Sequence, residues 1–273
     1  MISNQVYKFF ADYVYQHTGI LYKEHDYYRL DSRINTMIKH FGVEDADALY
    51  QMLAMEIDKA THEFLVDLFT NNETYFMRDL KPFKAFAKGL IPIVKQNLDV
   101  LGNINIWSCA SSTGQEIYSI QMALDSFGAP GDFDKLKLHA TDISQDALKK
   151  AKSGNYLLLE VQRGLPAPFL VKYFTANQED GSWDVKDELK KRVTFSQFNL
   201  LKDVYPVAKY DIIFCRNVLI YQDMENKRKI LENIYGALRP GGFLVFGAGE
   251  SMIGINLPFK HVEIEGSWFY QKE

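Results

Sequence analysis

Apolar residues return every three or four positions through the first 69 residues: Val6, Phe9, Phe10, Tyr13 and Val14, then Leu30, Ile34, Met37, Ile38 and Phe41, and later Phe64, Leu65, Leu68 and Phe69. Such spacing lines one face of a helix with a period of about 3.6 residues. Breaks at Thr18-Gly19 and Phe41-Gly42, with Glu44 and Asp45 ahead of the next apolar stretch, predict four short helices with brief connections. From about residue 103 short apolar runs alternate with helical spacing. Strands are predicted at Ile104–Trp107, Lys137–Thr141, Val193–Gln197, Tyr210–Cys215 and Phe243–Phe246. Helices are predicted at Glu116–Phe127, Gln145–Lys152 and Glu225–Leu238, the last stopped by the turn Arg239-Pro240-Gly241-Gly242. Phe259–Ile264 and Ser267–Gln271 have the pattern of a closing antiparallel hairpin. This alternation predicts the α/β class, a mostly parallel, doubly wound sheet covered by helices on both faces.

Residues 154–192 break the alternation with two prolines, three glycines and mixed periodicity. An inserted β subdomain is expected there, with a small hairpin around Gln178-Glu179-Asp180-Gly181 between Tyr173-Phe174 and Trp183. The expected organisation is a helical domain over 1–69, a linker over 70–102 that covers the ligand site, and an α/β domain over 103–273.

Ile104 to Ser119 carries the strongest chemical signal. A strand gives way to Ser108, Ala110, Ser111, Ser112, Thr113 and Gly114, whose small side chains let a ligand approach the backbone, and a helix resumes with Glu116 in its first turn. A carboxylate at that point is favoured by the free N–H groups of the helix start, suits hydroxyls or an amino group, and repels a pyrophosphate. Ligands of doubly wound sheets sit beyond the carboxyl ends of the strands. Thr141-Asp142-Ile143 follows the second strand, where a carboxylate can accept from both hydroxyls of a ribose; taken alone, Asp142 serves equally as a helix cap before Gln145. Gln197-Phe198-Asn199-Leu200 follows the third, with an amide for an adenine edge and Phe198 or Leu200 as flat apolar contact, although Asn199 alone is better read as a turn residue. Cys215-Arg216-Asn217-Val218 follows the fourth and faces the first loop if those strands adjoin. With no G-x-G-x-x-G and no Walker lysine, these acidic strand ends favour an adenosine ligand lacking phosphates, and S-adenosylmethionine is the natural candidate.

Composition narrows the setting. The 273 residues, 47% hydrophobic and 24% charged, describe a soluble globular chain with material for one large or two modest domains. A net charge of -4 offers no general attraction for nucleic acid, so a basic partner surface must be local. No window approaches about 18 consecutive apolar residues, and the first residues lack the basic start and cleavage site of a secretory signal; a cytoplasmic protein without direct membrane insertion is expected. The two cysteines, Cys109 and Cys215, fit a reducing compartment as inert buried thiols, and no Cys/His spacing resembles a metal site. His62 followed by Glu63 lacks the second histidine of a zinc helix and reads as surface.

Six ordered segments together resemble the CheR-type family of chemotaxis receptor (protein-glutamate) methyltransferases over nearly the whole chain. They are Thr70-Asn71-Asn72-Glu73-Thr74-Tyr75-Phe76-Met77-Arg78-Asp79, Trp107 to Ser119, Ala140-Thr141-Asp142-Ile143, Phe198-Asn199-Leu200, Phe214 to Tyr221, and Leu238 to Gly242. Met77 stands where the family usually has Phe, Gln115 where it has the first of two Glu, and Ile117 where it has Pro. The resemblance implies a class I S-adenosylmethionine-dependent methyltransferase domain, Rossmann-like, with an N-terminal helical domain and an inserted β subdomain. It also implies methyl transfer to receptor glutamates. Asn72, Thr74, Arg78, Glu116, Asp142, Asn199, Leu200 and Asn217 match the family's cofactor contacts, and Tyr221 matches the tyrosine placed near the acceptor.

Methyl transfer from a sulfonium to a carboxylate is an in-line displacement, and orienting the two reactants supplies roughly 7–11 kcal/mol. A glutamate with a pKa of about 4.3 is already ionised at neutral pH, so no general base is required. Positive charge and hydrogen-bond donors are needed instead, which makes Arg78 and Tyr221 the candidate catalytic residues. Arg78 has a second reading as the partner of Asp79 or of an inter-domain carboxylate, and Tyr221 as a half-buried core aromatic. Receptor substrates of the family are acidic helical regions; Arg29, Arg33 and His40, with Lys39 beside them, offer a recognition surface on the second helix, unless they are ordinary solvated charge. The inserted subdomain offers an edge to an extended receptor tail, and independence from such a tail is the reading preferred. A monomer is expected. The competing function is an S-adenosylmethionine- or S-adenosylhomocysteine-binding signalling module without turnover. A small-molecule methyltransferase fits the fold but not the helical domain, and a nicotinamide dehydrogenase lacks its glycine-rich turn.

Overall fold

The computed structural model describes residues 2–96 and 102–273; residues 97–101, at the end of the expected linker, lie outside the described residues. The chain forms two compact units: the residues up to Asn71 together with Tyr221–Lys227, and Asn72–Ile220 together with Arg228–Glu273.

The first unit holds α1 (Asn4–Thr18), a 3-10 segment (Glu24–Leu30), α2 (Asp31–Phe41), α3 (Ala46–Met55) and α4 (Lys59–Phe69). Local chemistry sets the boundaries. Asp45 and Asp58 cap α3 and α4 by accepting from Ala48 N and Thr61 N, and Gly19 and Gly42 end α1 and α2 in the left-handed conformation. Val6, Phe10, Val14, Ile34, Leu49, Leu65 and Phe69 are fully buried in one core. Arg29 belongs to the 3-10 segment rather than to α2. His62, read from sequence as surface, is half-buried and hydrogen-bonds the Tyr13 hydroxyl at 2.6 Å, because Tyr13 on α1 turns its polar end towards α4. Tyr15 and Thr18 of α1 hold the returning segment: the Tyr15 hydroxyl donates to Asp223 at 2.7 Å and Gln222 donates to Thr18 O at 3.1 Å.

In the second unit, α5 (Leu80–Ala85), a π-helical turn (Phe86–Leu90) and α6 (Ile91–Gln96) precede the sheet. The sheet strands are β1 (Ile104–Cys109), β2 (Leu136–Asp142), β6 (Val193–Gln197), β7 (Tyr210–Cys215), β8 (Leu238–Phe246), β9 (Phe259–Ile264) and β10 (Ser267–Lys272). Their order is β6-β2-β1-β7-β8-β10-β9; all pair in parallel up to β8, and β10 is antiparallel to β8 and β9. Helices α7 (Gln115–Phe127), α8 (Gln145–Ser153) and α12 (Met224–Ala237) connect strands. One sheet face packs Ile106, Ile212 and Phe214 with Phe86 and Ile117, and the other packs Trp107, Ile213 and Cys215 with Ile230 and Ile234. This is the Rossmann-like doubly wound fold of class I methyltransferases.

The interval 154–192 forms a separate three-stranded sheet, β3 (Asn155–Tyr156), β5 (Trp183–Val185) and β4 (Phe174–Ala176) in that order, with short helices α9 (Leu158–Gln162), α10 (Ala167–Tyr173) and α11 (Asp187–Lys190). Arg239-Pro240-Gly241-Gly242 does not close a turn after the helix. Leu238 already belongs to β8, and the ladder with β7 shifts register between Tyr210 and Ile212, where Gly241 at φ 76° lets the strand carry an irregularity.

Candidate functional site

Parallel neighbours β2 and β7 flank β1, so the chain leaves β1 at the switch point where adjacent connections part to opposite faces. Cys109 and Cys215 are register partners, which sets the loops after β1 and β7 side by side. Both thiols are buried, and the hydrogen bond with Cys109, then burial, pushes the Cys215 pKa up, as expected of an inert thiol.

The loop after β1 folds as its small residues require. Ala110, Ser112 and Gly114 take φ of 55°, 51° and 95°. Ser111 N donates to Thr141 O at 2.8 Å and Ser112 N to the Asp142 carboxylate at 2.7 Å, stapling the loop to the end of β2. A Cβ on Gly114 would stand 2.9 Å from Ala151 Cβ and 3.0 Å from the Tyr156 hydroxyl oxygen, which itself donates to Thr113 O at 2.6 Å. Only glycine satisfies both the backbone and the space.

Residues 72–79 cross above this loop without regular structure. Ser112 Oγ donates to Asn72 O at 2.7 Å, and Met77 N donates to Ser119 Oγ at 2.9 Å. Phe76 is buried edge-on to Tyr156 and Phe174 of the insertion, with ring centroids 5.0 and 5.3 Å away. Arg163 of the insertion reaches Glu73 at 2.6 Å. Met77 and Asp79 have φ of 53° and 57°, so with Ala110, Ser112 and Asn217 five of the seven described non-glycine residues at positive φ belong to these segments. Strain concentrated this way marks a site whose geometry is over-determined by its surroundings.

Arg216 is the electrostatic centre. Its side chain is 1% exposed; Nη1 donates to Glu116 at 3.0 Å, and Nη2 donates to Asp79 at 3.0 Å and to Arg78 O at 2.9 Å. Glu116 also accepts from Ser108 Oγ at 2.8 Å. Burial raises the Glu116 pKa, while Arg216 and the Ser108 hydroxyl oppose the rise. Asp79 therefore pairs with Arg216, not with Arg78. The Arg78 guanidinium donates to Glu73 O at 3.3 Å and lies over the Tyr75 ring. The Glu73 carboxylate pairs with Arg163 and, more weakly, feels the Arg78 charge, and both hold its pKa down.

These groups line a crevice, with Thr74, Arg78, Glu116 and Asn217 in its wall beside Ser111 and Arg216. Asn72 and Asp142 stand one bond behind it. Both grip Ser112, and Asn72 Nδ2 reaches Ser144 Oγ at 3.4 Å. The helix cap before Gln145 is Ser144, and Asp142 accepts from Ser144 N at 2.9 Å. Asn199 is a turn residue here: Oδ1 accepts from Leu201 N at 2.9 Å while its own N–H goes to Asp203 at 2.7 Å. Leu200 and Phe198 pack on the cluster around Trp107. Tyr221, Arg29 and Arg33 belong to the first unit. Asn71 Nδ2 donates to the Tyr221 hydroxyl at 2.8 Å, Arg29 faces Asp26 at 3.8 Å, and Arg33 donates to Leu68 O and Arg29 O at 3.1 and 3.0 Å.

Arg216 and Glu250 were not singled out from sequence. For Arg216 a signal existed: one arginine directly after the apolar strand Tyr210–Cys215 is buried only if carboxylates answer it. Glu250 sits in a loop with no pattern, and it holds Asn217 through backbone bonds that sequence does not display.

The donor set suits S-adenosylmethionine. Glu116 and Asp142 offer acceptors for amino and hydroxyl groups. Ser111 Oγ and Arg216 Nε are buried without a hydrogen-bond partner among the described residues, leaving a hydroxyl and a cationic donor for a carboxylate. The family model described as CheR methyltransferase, SAM binding domain, matches residues 72–267. The chemotaxis protein methyltransferase Cher2 of Pseudomonas putida is 37% identical over 257 residues, covering 93% of this chain and 92% of that protein. Chemotaxis protein methyltransferase 1 of Pseudomonas aeruginosa is 37% identical over 94% of this chain and 93% of its own length. The chemotaxis protein methyltransferase of Vibrio anguillarum is 35% identical over 99% of this chain and 98% of its own. The chain belongs to the CheR methyltransferase family and carries its S-adenosylmethionine-binding domain.

Proposed function

We propose that this chain methylates glutamate side chains of chemoreceptors, forming methyl esters. The supporting observation is the charge balance of the crevice. Arg216 is answered by Asp79 and Glu116, whereas Arg78 in the same wall donates to a backbone carbonyl, lies over the Tyr75 ring and shares the Glu73 carboxylate with Arg163, leaving donors for an incoming carboxylate. Bound S-adenosylmethionine supplies a methyl group made electrophilic by its sulfonium. Glu116, Asp142, Asn72, Thr74 and Asn217 hold and orient the cofactor in this reading, with Asn199 and Leu200 at the adenine end. Arg78 draws the glutamate carboxylate in and holds it without taking its charge away, so no proton need move before attack. Tyr221 is assigned a donor role beside the acceptor on the strength of the motif Phe214–Tyr221. Arg29 and Arg33 are assigned to recognition of the acidic receptor region.

The test is incubation with labelled S-adenosylmethionine and cytoplasmic receptor fragments. Label released as methanol by mild base supports the reading; label that survives base, or none beside tight S-adenosylhomocysteine binding, replaces it with another acceptor or with a binding module.

A further inference from the structure

Asn217 takes a left-handed backbone conformation, uncommon for a residue other than glycine although asparagine tolerates it better than most. It follows β7 at φ 60° and is one of the residues that line the crevice. The groups that hold it come from the loop after β8. The Glu250 carboxylate accepts four backbone N–H bonds: from Asn217 at 2.6 Å, Val218 at 3.0 Å, Leu219 at 2.8 Å and Gly247 at 3.0 Å. Three successive N–H groups converging on one anion form a concave nest of the kind that binds phosphates elsewhere; here a side chain of the same chain fills it. Gly247 completes the cradle. A Cβ there would stand 2.7 Å from Asn217 Nδ2 and 3.0 Å from the Glu250 carboxylate oxygen.

We infer that Glu250 is a positioning residue for the cofactor site, an internal anion that locks the turn after β7 and so aims the Asn217 side chain into the crevice. An anion is needed because a neutral amide presents only one acceptor oxygen and sets its own NH2 against the remaining donors. Gly247 is needed because any side chain there displaces the amide that the carboxylate has set. The inference rests on the crevice being the S-adenosylmethionine site and is independent of which acceptor is methylated.

Calorimetry with S-adenosylhomocysteine reads it directly on the full chain. Glu250→Gln weakens binding by about tenfold or more, the scale of a lost charge-assisted hydrogen bond. Asn217→Ala weakens it comparably, and the double variant binds no worse than Asn217→Ala alone, since Glu250 acts only through Asn217. Gly247→Ala gives the same loss with the carboxylate intact, and serves if Glu250→Gln does not fold. Losses that multiply in the double variant, or unchanged affinity in both Glu250→Gln and Gly247→Ala, overturn the inference. A receptor assay that yields no glutamate ester leaves this result untouched, so failure of the proposed substrate and failure of the positioning role are told apart.

Discussion

Arg216 donates to Glu116 at 3.0 Å across 100 residues of sequence, joining the end of β7 to the first turn of α7. The arginine is buried and also bonds Asp79, so removing it strands two carboxylates at once. Arg216→Met is expected to cost about 3–5 kcal/mol in urea unfolding, the range for breaking a buried ion pair. A loss below about 1 kcal/mol would mean that water can replace the guanidinium.

Gly114 and Gly181 both sit at positive φ, at 95° and 73°, but only Gly114 has neighbours within reach of a Cβ. Gly181→Ala should therefore cost about 1 kcal/mol for the backbone alone. Gly114→Ala adds overpacking of about 1–3 kcal/mol and pushes the loop off Tyr156. Equal losses in thermal unfolding would contradict the close approach of α8.

Arg78 touches little that the fold requires. Arg78→Ala is expected to lower kcat on the order of 10²-fold, as for loss of one preorganised charged donor, with a melting temperature close to that of the parent. Arg78→Lys should recover part of the rate through its charge. Full activity in Arg78→Ala would remove the residue from the reaction.

Arg29 and Arg33 should separate. Arg33 satisfies two backbone carbonyls, so Arg33→Ala is expected to destabilise by about 1–3 kcal/mol. Arg29 is exposed, loosely paired with Asp26 and lying over the Tyr22 ring, and Arg29→Ala should leave stability within about 1 kcal/mol. If Arg29 meets the acidic receptor, KM rises and its salt dependence weakens; an unchanged KM with an unchanged salt slope assigns it to solvent.

His139 bridges the Tyr210 hydroxyl at 2.6 Å and Ser196 Oγ at 2.7 Å, and burial, then Lys209, lowers its pKa from 6.5 to about 4. The folded state resists a proton that the unfolded chain takes up. The stabilisation is complete above pH 6.5 and is lost as pH falls towards about 4. Wild-type stability should drop more steeply over that window than His139→Gln stability. Parallel curves would show that the ring protonates freely in place.

Much of the sheet could be read from the chain because its strands are short segments rich in apolar, β-branched and aromatic residues set between helical patterns. Val193–Gln197 and Tyr210–Cys215 form as expected, and the loop after β1 is where Ser111, Ser112 and Gly114 indicated. Less was legible wherever long-range partners decide. Arg239–Gly242 has turn chemistry yet lies within β8, as the irregularity between Leu238 and Phe243, because β7 pairs with the residues on either side of it. Asp79 looked like a partner for its neighbour Arg78, but a left-handed backbone at 57° swings it to Arg216. Asn199 kept its local hydrogen bonds, the outcome its residue type favours.

The clasp on Phe76 makes the insertion a poor candidate for exchange as a cassette. Tyr156 and Phe174 grip the ring from one side, and Gly164 passes so near that a Cβ would lie 2.3 Å from Phe76 O. A chimaera that swaps residues 154–192 between relatives must transplant residues 73–78 with them. Otherwise the graft arrives without its counterpart, and the strand of chain that carries Thr74 and Arg78 loses its anchorage.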